Sequence, residues 1–146
     1  MHKIGFTLIE LLIVIAILGG LAGLLIPNFM EARKDARDTQ RKNDIKQIQK
    51  AFELYKLDQN PPKFPDVLPA SGVAWTGSGN TYMNKFPSDP QSPTHDYKYK
   101  VDNTALTYTL CACLENSVDP QGTDCSSASP PCSCGSFTKC YIVNQP

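Results

Sequence analysis

The chain has 146 residues, with 14 basic and 14 acidic side chains and a formal net charge of zero. Nothing in that balance argues for nucleic-acid steering, which calls for a basic domain. The length allows one anchor helix and one small soluble domain of about 90 residues, whose core gains from cross-links.

The first predicted element is the only strongly apolar stretch, residues 6–26. As a helix it spans roughly 31 Å, about one hydrocarbon core. Glu10 lies inside it, and a carboxylate there carries an insertion penalty of about 3 kcal/mol. Such a charge calls for a partner, because an ion pair offsets part of the cost of burying each member. An ordinary secretory signal would end in a small-residue cleavage site, whereas this run flows into a charged helix. Gly19, Gly20, Gly23 and Pro27 form a weak section, because glycine costs about 1 kcal/mol and proline about 3 in a helix interior. Gly19 and Gly23 are also a small-xxx-small pair that admits close helix approach.

The helix is expected to continue through residues 28–58, which contain neither Gly nor Pro. Ile45, Ile48, Phe52 and Tyr55 share one face, widened by Ala51 and Leu54, and Lys46, Lys50, Glu53 and Lys56 lie opposite. Asn60-Pro61-Pro62 ends it. Before the span stands only Lys3; after it come Arg33, Lys34, Arg37, Arg41, Lys42 and Lys46. Charge bias alone would put that flank in the cytoplasm.

Residues 59–94 are a connecting loop whose prolines forbid long regular structure. Trp75 and Phe86 are its expected pins. Three strands follow: 95–101, 105–113 and 137–143, with Asp102-Asn103-Thr104 as the turn between the first two. Tyr97, Tyr99 and Val101 share a face, as do Leu106, Tyr108 and Leu110. Cys111 and Cys113 point the other way. Thr138, Cys140 and Ile142 share a face of the third strand. The fold class is therefore α+β: a long N-terminal helix, amphipathic in its outer half, packed on a small antiparallel sheet of about three strands.

Cys111, Cys113, Cys125, Cys132, Cys134 and Cys140 all fall in the last quarter. An even, clustered set reads as a disulfide framework. A metal site is the rival, but the one-residue spacers are shorter than zinc knuckles use. The expected pairing joins Cys140 to Cys111 or Cys113 across the sheet and leaves the other strand cysteine with Cys125, Cys132 and Cys134. No catalytic motif is present, so an enzyme is not expected.

Gly5-Phe6-Thr7-Leu8-Ile9-Glu10, after a leader with one lysine and before Pro27, closely resembles the processing signal of the type IV pilin and type II secretion pseudopilin superfamily. The resemblance implies removal of residues 1–5 by a prepilin peptidase, with the cut between Gly5 and Phe6 and methylation of the new Phe6 amine. It implies that residues 6–27 form the transmembrane and filament-core half, with residues 28–58 as the amphipathic half. Residues 95–146 form the Cys-rich sheet region. Glu10 takes the assembly position, and Gly19 to Pro27 loosens on packing. The implied partners are copies of the chain, minor pilins, a membrane platform protein and a separate assembly ATPase. The precursor is a single-pass inner-membrane protein with a cytoplasmic N-terminus, and the filament is extracytoplasmic.

The alternative output is a major pseudopilin driving protein export; a more distant one is an anchored extracytoplasmic binding domain. No cofactor is expected. However, Lys85-Phe86-Pro87-Ser88-Asp89-Pro90 resembles a pseudopilin loop that holds calcium. Asp89, Asp96 and Asp102 are candidates for some of the oxygen donors, but they are equally good turn formers and no EF-hand pattern is present.

Overall fold

The computed structural model describes residues 5–77, 79–127 and 132–145. The chain divides into two units, Met1–Asp35 and Ala36–Pro146. Helix α1, Leu8–Asp58, runs through the boundary between them.

In the first unit α1 is a bare apolar helix. Leu8, Ile9, Leu11, Leu12, Ile13, Val14, Ile15, Ile17, Leu18, Leu21 and Leu24 are all exposed. Among the described residues it is the one helix long and apolar enough to cross a membrane, with a mean hydropathy of 2.7 over its best window. At the polar end, Lys34 pairs with Glu31 at 2.9 Å, and Arg33 lies over the Phe29 ring.

The second unit contains the rest of α1 and two antiparallel sheets. A hairpin pairs β1, Trp75–Gly77, with β2, Asn80–Met83. Gly79 has φ +84°, a conformation open to glycine at little steric cost. The connecting segment, whose prolines forbid long regular structure, thus contains one short hairpin among its described residues. The main sheet comprises β3 (Lys98–Asp102), β4 (Thr107–Leu114), β5 (Thr123–Asp124) and β6 (Lys139–Asn144). Its order is β3-β4-β6-β5. The two-residue β5 adds a fourth, edge strand to the three expected. Leu106 does not join β4, because it takes φ 54° in the turn. There the Asp102 carboxylate accepts the amides of Thr104 and Ala105.

Period-two alternation divides the sheet into two dissimilar faces. Tyr108, Leu110 and Ala112 of β4, with Tyr97, meet Ile45, Ile48, Ala51 and Phe52 of α1 in one buried core. Tyr99, Val101, Tyr141 and Val143 pack at its edge. Cys111, Cys113 and Cys140, with Ile142 alongside, form a second cluster on the other side. Phe52 is the hub of the first core. Its ring meets Trp75, Tyr99 and Tyr108 at centroid distances of 5.7, 5.0 and 5.2 Å. Trp75 and Phe86 are both buried, as pins of the connecting segment. Leu54, read as part of the core face, is instead 53% exposed. It lies on the edge of the stripe, beyond the reach of the sheet.

The polar residues of α1 hold an arrangement that apolar periodicity does not reveal. Arg41 is fully buried. Its five N–H groups go to Asp89 (2.8 and 3.0 Å), Asp38 (2.7 Å), Glu115 (2.8 Å) and Gln91 (2.8 Å). Arg37 clamps both oxygens of Glu115 at 2.6 Å. Asp38 also accepts the amides of Glu115 and Asn116. One turn along, Lys42 meets Asp119 at 2.6 Å. Two segments distant in sequence are thereby fastened to the helix by charge-assisted bonds, and each buried charge has a partner.

The electrostatics follow from this geometry. The Arg37 hydrogen bond holds the Glu115 carboxyl below its usual range, as Lys42 does for Asp119 despite partial burial. Burial pushes Asp44 the other way, partly countered by the Tyr97 hydroxyl, which donates to it at 2.6 Å. Burial, followed by the Asp44 hydrogen bond, likewise raises Tyr97.

Three outcomes are expected in thermal or denaturant unfolding of the purified protein. Phe52→Ala costs about 3–5 kcal/mol, the usual range for a buried aromatic. Arg41→Met leaves buried carboxylates without a counter-ion and costs about 3–5 kcal/mol. Asp44→Asn keeps an acceptor for Tyr97 and removes a charge that folding disfavours. A carboxyl raised in the folded state destabilises when ionised. Asp44→Asn therefore raises the melting temperature at pH 7, and the difference vanishes below about pH 3.9, the unfolded value.

Candidate functional site

The N-terminal end of α1 carries the residues singled out for processing and assembly. Thr7 precedes the first helical residue, Leu8, which makes it the N-cap and Glu10 the third helical position. The Glu10 amide donates to the Thr7 hydroxyl at 3.3 Å, and the Thr7 amide donates to Glu10 Oε2 at 3.3 Å. The Thr7 hydroxyl donates to the same oxygen at 3.2 Å. This is a capping box, and it satisfies reciprocally two amides that the helix start would leave unpaired.

Two consequences matter. The box uses nothing before Thr7, so a cut between Gly5 and Phe6 leaves it whole. It also engages only Oε2; among the described residues Glu10 Oε1 has no hydrogen bond. One carboxylate therefore fixes its own helix start and still offers an oxygen to an outside donor. Phe6 stands next to the cap and is 78% exposed. Met1–Ile4, most of the predicted leader, lie outside the described residues. Thr7 was missed as a functional residue. The signal was present: Thr-x-x-Glu before an apolar run is a helix-start signature.

Gly19, Gly20 and Gly23 lie within α1, and a Cβ on any of them would meet nothing within 4 Å. Among the described residues, nothing in the chain requires their small size. Pro27 also falls within α1, but its side chain is outside the described residues.

All six candidate cysteines are disulfide-bonded: Cys111–Cys132, Cys113–Cys134 and Cys125–Cys140. The expectation that Cys140 bonds a strand cysteine is corrected. Cys113 and Cys140 are register partners on β4 and β6, yet the β4 cysteines bond Cys132 and Cys134 instead. η1 is a 3-10 turn at Cys125–Ser127 that follows β5, and β5 lies beside β6, which brings Cys125 to Cys140. The bridges order a segment with few large apolar residues of its own.

Asp89, Asp96 and Asp102 are not gathered into one cluster of metal ligands. Asp89 is buried against Arg41, and Asp102 holds the β3–β4 turn. Asp96 accepts from Ser92 Oγ at 2.9 Å. Asp89 and Asp96 border one cavity of about 270 Å³, and Asp102 lines another.

Comparison with known proteins agrees with this geometry. Residues 1–26 match the family model for the prokaryotic N-terminal methylation motif. The chain is similar to the type II secretion system core protein G of Pseudomonas aeruginosa, 38% identical over 101 residues. That alignment covers 64% of this chain and 71% of the relative. It is similar to the core protein G of Escherichia coli K12, 32% identical over 98 residues, covering 59% of this chain and 65% of the relative. It is also 54% identical over 56 residues to the type IV wide pilus major component PilA4 of Thermus thermophilus. There the alignment covers 38% of this chain and 43% of the relative. No solved structure matches significantly. These relatives are structural subunits, not enzymes. With its methylation motif, its long helix on a small antiparallel sheet, and this similarity, the chain belongs to the type IV pilin and type II secretion pseudopilin superfamily.

Proposed function

We propose that the chain is the structural subunit of a type IV pilus-like filament, polymerised through the apolar half of α1. The observation that carries this reading is Glu10, a carboxylate in an apolar helix with one oxygen engaged by its own cap and the other open. A prepilin peptidase cuts between Gly5 and Phe6, and Phe6 is methylated. The Phe6 ammonium of an incoming copy then meets Glu10 of a copy already packed. In hydrocarbon that pairing selects register, because any other alignment leaves two charges unpaired. Exposed Gly19, Gly20 and Gly23 let neighbouring helices approach and let the segment before Pro27 loosen.

The precursor spans the inner membrane once, with its N-terminus in the cytoplasm and residues 36–146 outside. Three disulfides support an extracytoplasmic placement, since such bonds persist in oxidising compartments. Minor pilins, a membrane platform protein and a separate ATPase complete the assembly. No cofactor takes part in this reading.

A second reading, a pseudopilus subunit for protein export, has its own support. The alignments to core protein G extend over about 100 residues, against 56 for the Thermus pilus component.

Intact mass of the native subunit tests processing: loss of residues 1–5 and gain of one methyl are expected, and a retained Met1 overturns the proposal. Glu10→Gln separates the two jobs of this residue, because glutamine also serves a capping box. The variant is expected to insert in the membrane normally and to form no filaments. Gly19→Ala with Gly23→Ala is expected to stabilise the lone helix by about 1 kcal/mol per site. It is also expected to lower filament yield. Electron microscopy of sheared surface material, with mass identification, distinguishes a surface fibre from an export pseudopilus.

A further inference from the structure

The cysteine cluster behind the sheet contains more than three separate bridges. The Sγ atoms of Cys113, Cys134 and Cys140 lie within 4.8 Å of one another. Cys134 and Cys140 belong to different disulfides, yet their sulfurs are 3.1 Å apart. β4 and β6 enforce this, because Cys113 and Cys140 are opposed in register on adjacent strands. The Cys113–Cys134 bridge then brings Cys134 over the same spot. Beside the cluster is a cavity of about 400 Å³ lined by Cys125, Cys132, Cys134 and Phe137, among others. Cys125 is 6% exposed and Cys140 not at all.

We propose that Cys113, Cys134 and Cys140 form a thiol–disulfide exchange relay, entered by a small thiol through Cys125. A thiolate in the cavity attacks Cys125 Sγ, because Cys125 is the member of its bridge that lines the cavity. The Cys125–Cys140 bond breaks, its electron pair stays on Cys140, and the entering thiol remains as a mixed disulfide on Cys125. The Cys140 thiolate then attacks Cys134 Sγ. A Cys134–Cys140 bond forms, the Cys113–Cys134 bond breaks, and the electron pair leaves on Cys113, which takes up a proton. No net electrons enter beyond the one thiol consumed, as exchange requires. The cross-link has moved from β4 to β6, the segment around Cys125 has lost its tether, and Cys113 is the free thiol. Cys111–Cys132 takes no part, because its sulfurs lie outside the cluster of three. Every group of the exchange site lies in the second unit, whereas Glu10 and the apolar half of α1, on which the proposed assembly rests, belong to the first.

The test uses the purified full-length protein in detergent, titrated with reduced glutathione until one bridge opens. The sample is quenched in acid and alkylated with N-ethylmaleimide. Part is digested without reduction to locate the glutathione. The remainder is reduced, alkylated with iodoacetamide and mapped by tandem mass spectrometry. The relay predicts glutathione on Cys125 and the first label on Cys113 alone, with the second label on the other five cysteines, Cys134 and Cys140 among them. First label confined to Cys140 overturns it, as does first opening of Cys111–Cys132 or glutathione on Cys134. Cys125→Ser gives a second test without added thiol. Its unpaired cysteine is expected at Cys113 as well as at Cys140, because the free Cys140 sulfur lies 3.1 Å from Cys134 Sγ. Labelling at Cys140 alone overturns the relay. If that variant does not fold, the glutathione titration of the parent protein decides.

Discussion

A guanidinium sealed from water has to find a full set of acceptors, or the fold around it fails. Arg41 finds them: Asp38 on its own helix, Asp89 and Gln91 from the segment before the sheet, and Glu115 from the end of β4. Apolar burial alone would let the sheet slide on α1, since the aromatic contacts around Phe52 are only weakly directional. The planar fork of an arginine does not slide. It sets the height at which the sheet meets the helix, and so which residues of α1 meet Tyr108 and Leu110.

The same logic of satisfying polar groups governs the far end of the helix. Thr7 and Glu10 close the helix start with their own side chains, and the box costs the carboxylate only one of its oxygens. A charge that would otherwise be a liability in an apolar segment thereby acquires a local function before any neighbour arrives. The two ends differ in one respect. At Arg41 every donor is used within the chain, whereas at Glu10 one carboxylate oxygen is left over among the described residues.

Much of this was legible in the residues. The apolar run, the Ile45-Ile48-Phe52 face and the alternation of β4 each follow from side-chain periodicity, which depends on local geometry. The Arg41 cluster was not legible. Its members are separated by 48 and 74 positions, and charged residues on a helix normally signal a solvated face. The cysteine pairing was hidden for the same reason: Cys125 reaches Cys140 only because β5 joins the edge of β6. The capping box is written locally in Thr7 and Glu10, but the same carboxylate also carries the charge signal of an apolar segment, which masks its role at the helix start.

The distances along the chain impose an order of events. α1 is made first, yet Arg41 has no acceptor from outside its helix until Asp89 has been synthesised, and its set is incomplete until Glu115. Through most of its biogenesis the outer half of α1 therefore remains a hydrated, positively charged strip of peptide rather than a finished scaffold.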